Sequence, residues 1–121
     1  MGNFKNLRVW NQAIDLAQDI YVLTGHGQFS KDWGLRDQIQ QASVSIASNI
    51  AEGEERISIK ENIYFLNVAK SSAAEVITQL TIAQRIGYLE SQRIIELEDF
   101  TEKIRASIRN LIKQKTKLDK S

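Results

Sequence analysis

Apolar residues recur along this chain at steps of three and four, the spacing that places them on one face of an α-helix. Four such stretches predict helices at about residues 6–24, 32–53, 58–86 and 91–117, joined by short polar connections. On the first helix the predicted apolar face comprises Leu7, Trp10, Ala13, Ile14, Ala17, Ile20, Tyr21 and Thr24. The pattern therefore predicts an all-α fold, an antiparallel up-down-up-down four-helix bundle in which residues 1–121 form one domain.

Residues at the ends of these stretches predict where each helix starts and stops. The expected N-terminal caps are Asn6, Ser30, Ser58 and Ser91, with the alternative that the second helix begins nearer Gly34. Ser58 is followed three residues later by Glu61, which matches the capping-box pattern. The expected glycine stops are Gly25 and Gly27, which flank His26, and Gly87. The chain contains no proline, so no proline kink or break interrupts the long helices.

The second predicted helix contains the most distinctive segment, ASVSIASNIAEGEER, which spans residues 42–56. Its small residues would allow a neighbouring helix to approach closely, which favours a central place in the bundle. A buried amide needs several hydrogen-bond partners, so we expect Asn49 to bond to the third helix or to a loop. Gly53 is expected to end or kink the second helix.

Charge is unevenly distributed along the chain, although the net charge is only +1. From Lys103 onward there are seven basic residues and one acidic residue, or +6, against nine basic and fourteen acidic residues, or −5, before it. On the fourth helix the basic residues at steps of four are Arg105, Arg109, Lys113 and Lys117. This basic stripe is a candidate nucleic-acid-binding surface. The alternatives are a solvated helix end favoured by the helix dipole, or cations that face acidic residues of a neighbour.

The residues that catalysis or metal binding would need are largely missing. There is no cysteine, and the single histidine, His26, lies in a glycine loop, so we expect no thiolate or two-histidine metal site and no cofactor. Glu52 and Glu75 could meet between the second and third helices, but the plainer interpretation is that one of them pairs with Arg56 or caps a neighbouring helix. No enzyme is predicted. The absence of a long apolar run predicts a cytoplasmic protein without membrane contact.

The sequence also resembles a known family over most of its length, from about Phe4 to Leu111. The matching opening residues are Phe4–Trp10, Ala13, Ile20, Tyr21, Trp33–Leu35 and Gln38. The most recognisable residues are Ser45, Ile46, Asn49–Gly53 and Arg56. The match continues through Glu61, Phe65, Leu66, Ala69, Ser72, Glu75, Gln79, Leu80, Ala83 and Gly87–Leu89. Together they resemble the bacterial four-helix-bundle family known as 23S rRNA-intervening-sequence proteins.

This resemblance implies an antiparallel four-helix bundle that assembles as a homo-oligomeric ring, with a pentamer favoured, and no established enzymatic activity. It also implies bacterial genes that lie within ribosomal RNA insertions or similar contexts. Related bundle proteins bind nucleic acid through a basic surface. The chain has Gln40 and Gln41 where the family often has basic residues, which argues against nucleic-acid binding by the second helix itself. The sequence thus favours a nucleic-acid-binding oligomer, and the alternative is an oligomeric scaffold that contacts a protein partner.

Overall fold

The computed structural model describes residues 3–120 of the chain. It contains four helices, α1 (Arg8–Thr24), α2 (Trp33–Glu54), α3 (Ile59–Arg85) and α4 (Ser91–Asp119). Short 3-10 turns at Phe4–Asn6 and Gln28–Lys31 precede α1 and α2. All four predicted helices are present, with boundaries within about two residues of those predicted. Residues 1, 2 and 121 of the predicted domain lie outside the described part.

The four helices pack as a closed antiparallel cycle. Each helix contacts the next one along the chain, and α1 also contacts α4. Within residues 3–120 there is no strand, so the predicted all-α four-helix bundle is confirmed. We call the end that holds the N-terminus of α1, the α2–α3 connection and the C-terminus of α4 the proximal end. The distal end holds the α1–α2 and α3–α4 connections.

The core consists of aliphatic side chains contributed by all four helices. Its largest fully buried members are Leu16, Ile20, Phe29, Ile39, Ile46, Ile50, Leu66, Leu80, Ile94, Leu97, Ile104 and Ile108. Burial of each such side chain stabilises the fold by about 1.5–3 kcal/mol before the entropy of ordering is subtracted.

On α1 the buried face is rotated from the predicted one. Val9 and Leu16 are buried although the predicted face omitted them. Ile14 and Tyr21 belong to the predicted face but are 38% and 49% exposed. The prediction was wrong at these positions because α1 has two apolar seams about 100° apart, and periodicity does not distinguish which seam faces the core.

The N-terminal cap of α3 follows the prediction, whereas that of α2 does not. The hydroxyl oxygen of Ser58 accepts the backbone N–H of Glu61 at 3.3 Å. At α2 the carboxylate of Asp32 accepts the N–H of Leu35 at 3.1 Å, so Asp32 is the cap. The predicted Ser30 lies in the preceding turn, where its hydroxyl donates to a carbonyl instead.

The predicted caps of α1 and α4 are also wrong. Leu7, not Asn6, precedes α1, and it offers no side-chain acceptor. The amide of Asn11 donates to the Leu7 carbonyl at 3.0 Å and to the Lys5 carbonyl at 2.9 Å, which ties the preceding turn to α1. Ser91 is the first residue of α4, with Glu90 before it and no side-chain capping bond.

Glycines end α1 and α3 as predicted, but only two of the three use a left-handed backbone. Gly27 has φ of 61° and Gly87 has φ of 84°, whereas Gly25 has φ of −84°. After α3 the N–H of Gly87 donates to the carbonyl of Gln84 at 3.0 Å, and that of Tyr88 to the carbonyl of Ala83 at 2.9 Å. These two bonds form a Schellman motif, which requires the positive φ that Gly87 supplies.

At the distal end Tyr88 connects the two loops. Its hydroxyl donates to the carboxylate of Asp32 at 3.0 Å, and its ring packs on Phe29 with the centroids 5.5 Å apart. The hydrogen bond to Asp32, together with burial and the negative charge of that carboxylate, raises the pKa of Tyr88 above its usual value. This contact fixes the start of α2 against the end of α3.

Candidate nucleic-acid interface

The four cations of the predicted stripe have different surroundings. Arg109 and Lys113 are exposed, and within residues 3–120 neither makes an ion pair or hydrogen bond. Lys117 is also exposed. Arg105 is half-buried, pairs with Glu102 of the same helix at 3.2 Å, and has a buried Nε without a partner. The stripe therefore runs from a partly covered edge at Arg105 to open solvent.

The exposed cations of the C-terminal half of α4 share one side of the helix. We call them the α4 basic surface: Lys103, Arg109, Lys113, Lys117 and Lys120. At 3.6 residues per turn they fall within an arc of about 120°. The preceding turns of α4 carry exposed acids, namely Glu96, Asp99 and Glu102. One helix thus presents an acidic half followed by a basic half.

One cation of the tail is turned inward. The ammonium of Lys115 lies 3.3 Å from the carboxylate of Glu54, which is the last residue of α2 and whose side chain is only 10% exposed. The same carboxylate oxygen accepts the amide N–H of Asn62 at 2.7 Å. This cluster joins α2, α3 and α4 at the proximal end. The sequence interpretation missed the pair, although Lys115 falls on the apolar spacing of α4, which signals an inward-facing position.

Residues of the distinctive segment line the seam between α2 and α3. The hydroxyl oxygens of Ser45 and Ser72 are 2.9 Å apart and hydrogen-bonded across the seam. The amide of Asn49 donates to the carbonyl and hydroxyl oxygens of Ser45, at 2.8 and 2.9 Å. The predicted bond from Asn49 to α3 or a loop is therefore wrong. Asn49 reaches one turn back along its own helix, and Ser45 makes the contact with α3.

Gly53 brings the two helices close together at the proximal end of this seam. A methyl group added there would lie 3.0 Å from the carbonyl oxygen of Asn62 and 3.1 Å from the Cβ of Phe65. It would also lie 3.3 Å from the amide oxygen of Asn62, a buried atom with no hydrogen-bond partner. The helix ends at Glu54, one residue after Gly53, so the expected end of α2 is confirmed to within one residue. The close approach of α3 gives a second reason for a glycine at this position.

The two motif carboxylates do not meet. Glu52 pairs with Arg56 one turn further on, as the plainer interpretation predicted. The guanidinium of Arg56 also lies 4.8 Å from the ring centre of Phe65, within the range of a cation–π contact. Glu75 lies nearer the distal end, beside Ser45 and Ser72. Glu61 is exposed, and its backbone N–H makes the capping bond described above.

A polar groove of about 270 Å³ runs along this seam. Its lining residues are Gln38, Gln41, Ala42, Ser45, Ser72, Glu75 and Gln79. Within residues 3–120 the exposed carboxylate of Glu75 makes no ion pair or hydrogen bond. Gln79 is only 8% exposed, and its amide oxygen has no hydrogen-bond partner. This groove was not predicted from the sequence.

The described residues were also compared with the requirements for a metal site and for a membrane-spanning helix. Residues 3–120 contain no group of three or more histidine, cysteine, aspartate or glutamate side chains arranged to hold a metal ion. His26 is exposed in the loop after α1. In the same part of the chain, no helix has the length and apolar character needed to cross a membrane.

The fold and its surfaces define a small four-helix-bundle protein with a polar α2–α3 seam and a basic end on α4. The chain belongs to the 23S rRNA-intervening sequence protein family, whose sequence profile matches residues 5–110. Its fold is similar to the 1.70 Å crystal structure of a protein with unknown function from the S23 ribosomal protein family of Bacteroides thetaiotaomicron. The two are 25% identical, with a TM-score of 0.81 over 87% of this chain and 98% of that chain. A search of curated proteins gave no match.

Proposed function

We propose that this protein is a non-enzymatic, cytoplasmic homo-oligomer that binds the phosphate backbone of RNA or DNA through the α4 basic surface. The observation that carries the proposal is the exposure of Arg109 and Lys113, two cations one turn apart that have no acidic partner within residues 3–120. Like charges so placed repel each other by a few tenths of a kcal/mol. An anionic ligand removes that repulsion.

The chemistry of this surface favours backbone contacts over base recognition. Lysine and arginine neutralise phosphates and release counterions, which gives affinity without sequence information. No aromatic residue occurs after Phe100, so the C-terminal half of α4 itself offers no ring on which an unpaired base could stack. If Arg109, Lys113 and Lys117 each neutralise one phosphate, the logarithm of affinity should fall with the logarithm of salt with a slope of about −3.

Assembly would strengthen these weak contacts, because several basic surfaces on one particle act together. The family name connects its members with insertions in 23S ribosomal RNA, which makes RNA a sensible first ligand. Large apolar side chains are exposed at Trp33, Ile57 and Tyr64, at 70%, 94% and 62%. Such residues are candidates for subunit contacts, and a pentamer is the proposed state.

The test is titration of the purified protein with labelled RNA and duplex DNA at two salt concentrations. We expect binding at low salt that weakens steeply as salt rises, and at least tenfold weaker binding by the double variant Arg109→Glu/Lys113→Glu. The matched control is Lys31→Glu/Lys60→Glu, which changes the net charge equally at exposed positions on other elements. Absence of low-salt binding, or equal weakening by both variants, would refute the proposal.

A second candidate function is an oligomeric scaffold that presents surfaces to a protein partner. The pair between Lys115 and Glu54 favours it, because this cation of the tail holds the bundle together rather than facing solvent. Light scattering and copurified 260 nm absorbance separate the two functions. An oligomer that carries no nucleic acid and binds none at low salt would favour the scaffold, and a monomer at micromolar concentration would contradict both.

A further inference from the structure

The groove between α2 and α3 has a chemical character that the proposed nucleic-acid function does not use. It lies on the α2–α3 seam, whereas the phosphate-binding residues lie on α4. Its one charged lining residue is Glu75, and the other lining groups are neutral amides, hydroxyls and Ala42. A phosphate would be repelled from such a groove, so a different class of ligand must be considered.

Three hydrogen-bond acceptors that line the groove have unused acceptor capacity. The buried amide oxygen of Gln79 accepts no hydrogen bond, and within residues 3–120 the carboxylate of Glu75 has no cationic partner. The hydroxyl oxygen of Ser72 is bonded only to Ser45, so it retains a lone pair. Buried acceptors in folded proteins are almost always paired. All three groups can therefore be satisfied by one ligand that donates several hydrogen bonds and carries positive charge.

We propose that the α2–α3 groove is a binding site for a guanidinium group. A guanidinium has five N–H donors in a rigid planar fork and no acceptor, so it can bind a carboxylate through two parallel bonds. Glu75 forms that bidentate pair at the exposed wall of the groove. The remaining donors point to Ser72 and to Gln79, whose amide oxygen turns towards the ligand by rotation about its last, weakly restricted torsion.

The size of the groove agrees with this ligand. A volume of about 270 Å³ accommodates a guanidinium and part of the chain that carries it. Two sources offer the same chemistry, a free arginine-like small molecule or an arginine side chain of a second copy of this protein. The inference concerns the groove itself, so it stands or falls independently of nucleic-acid binding by α4.

The test uses the full-length protein and two probes, N-acetyl-argininamide and its uncharged urea analogue N-acetyl-citrullinamide. Binding is followed by two-dimensional NMR, with a dissociation constant of about 1 mM expected for the arginine probe. We expect Glu75→Gln to weaken its binding by about tenfold or more. Gln79→Met, which keeps the side-chain volume, should weaken it by a smaller factor. Glu55→Gln, which removes an exposed carboxylate elsewhere on the protein, should leave binding unchanged.

The oligomeric state distinguishes the two sources. If the probe saturates the groove and the particle size stays constant, the ligand is a free small molecule. If Glu75→Gln or excess probe dissociates the oligomer, the groove holds an arginine of a second copy. The proposal is overturned if the probe does not saturate while Glu75→Gln leaves the particle size unchanged. Equal binding of the citrulline analogue, or undiminished binding by Glu75→Gln, also overturns it.

Discussion

The α2–α3 seam and the C-terminal half of α4 are both rich in polar residues, yet the polar groups have different partners. At the middle of the seam, Asn49 bonds to Ser45 and Ser45 bonds to Ser72, so these three side chains pair with one another within the bundle. On α4, Arg109 and Lys113 face solvent and make no ion pair or hydrogen bond within residues 3–120. The first region therefore contributes to the geometry of the fold, and the second is available to an external anion.

The same contrast, between a polar group paired within the bundle and one that faces solvent, also exists between two lysines of α4. Lys113 and Lys115 are two positions apart, which rotates them by about 200° around α4. Lys115 consequently points to Glu54 and Lys113 points to solvent. A basic tail identified from composition alone thus combines cations with different surroundings, and only their direction on the helix distinguishes them.

The largest expected effect comes from filling the space at Gly53. Gly53→Val places a side chain within about 3 Å of Asn62 and Phe65, and overpacking of this kind typically destabilises by about 1–3 kcal/mol. Urea unfolding should show that loss. The control is Gly34→Val, because a Cβ there meets only the Asp32 carboxylate, at 3.8 Å. Equal stability of the two variants would show that the seam is not closely packed.

A smaller loss is expected from Asn49→Leu. The change removes both hydrogen bonds to Ser45 and should lower the free energy of unfolding by about 1 kcal/mol, with nucleic-acid binding unaffected. Thermal unfolding and RNA titration of the same sample test both halves of this statement. Ser48→Ala, an exposed change one residue earlier, serves as the control. An Asn49→Leu protein with wild-type melting temperature and oligomer size would contradict the structural role of the seam.

The smallest expected effect is a pH dependence of stability that comes from the hydrogen bond between Tyr88 and Asp32 at the distal end. The pKa of Tyr88 is raised in the folded protein, first by its hydrogen bond to Asp32. A raised pKa stabilises the fold below the unfolded-state value, and this contribution is lost as pH rises through and above about 10. Unfolding by urea between about pH 8 and pH 11 should show a steeper loss for the wild type than for Tyr88→Phe. Parallel curves would mean that the Tyr88 contact does not contribute.

Much of the fold could be predicted from the sequence, because helix periodicity and end signals are local. The four helices, the Ser58 cap and the Gly87 stop follow from residues a few positions apart. The face of α1 could not be predicted in the same way, since both of its seams are apolar. Ile14 and Leu16 are equally suitable for a core, and only the packing of α2 and α4 determines that Leu16 is buried.

The polar sites were harder to predict because they depend on contacts between residues far apart in the chain. Nothing near Gly53 in sequence reveals that Asn62 and Phe65 approach it. The groove likewise needs both α2 and α3 in place before Glu75 and Gln79 line one cavity. The spacing of the basic stripe is visible in the sequence, and its nucleic-acid role stays a prediction, whereas the pairing of its neighbour Lys115 required knowledge of where Glu54 lies.

The most direct test of the different roles of the α4 cations compares Lys113→Ala with Lys115→Ala in unfolding and in RNA binding across salt concentrations. Lys113→Ala should keep wild-type stability while the magnitude of the salt slope falls by about 1. Lys115→Ala should leave Glu54 nearly buried without its cation and lower stability by about 1–3 kcal/mol, with an unchanged slope. Loss of stability in Lys113→Ala together with loss of binding in Lys115→Ala would contradict this division of roles.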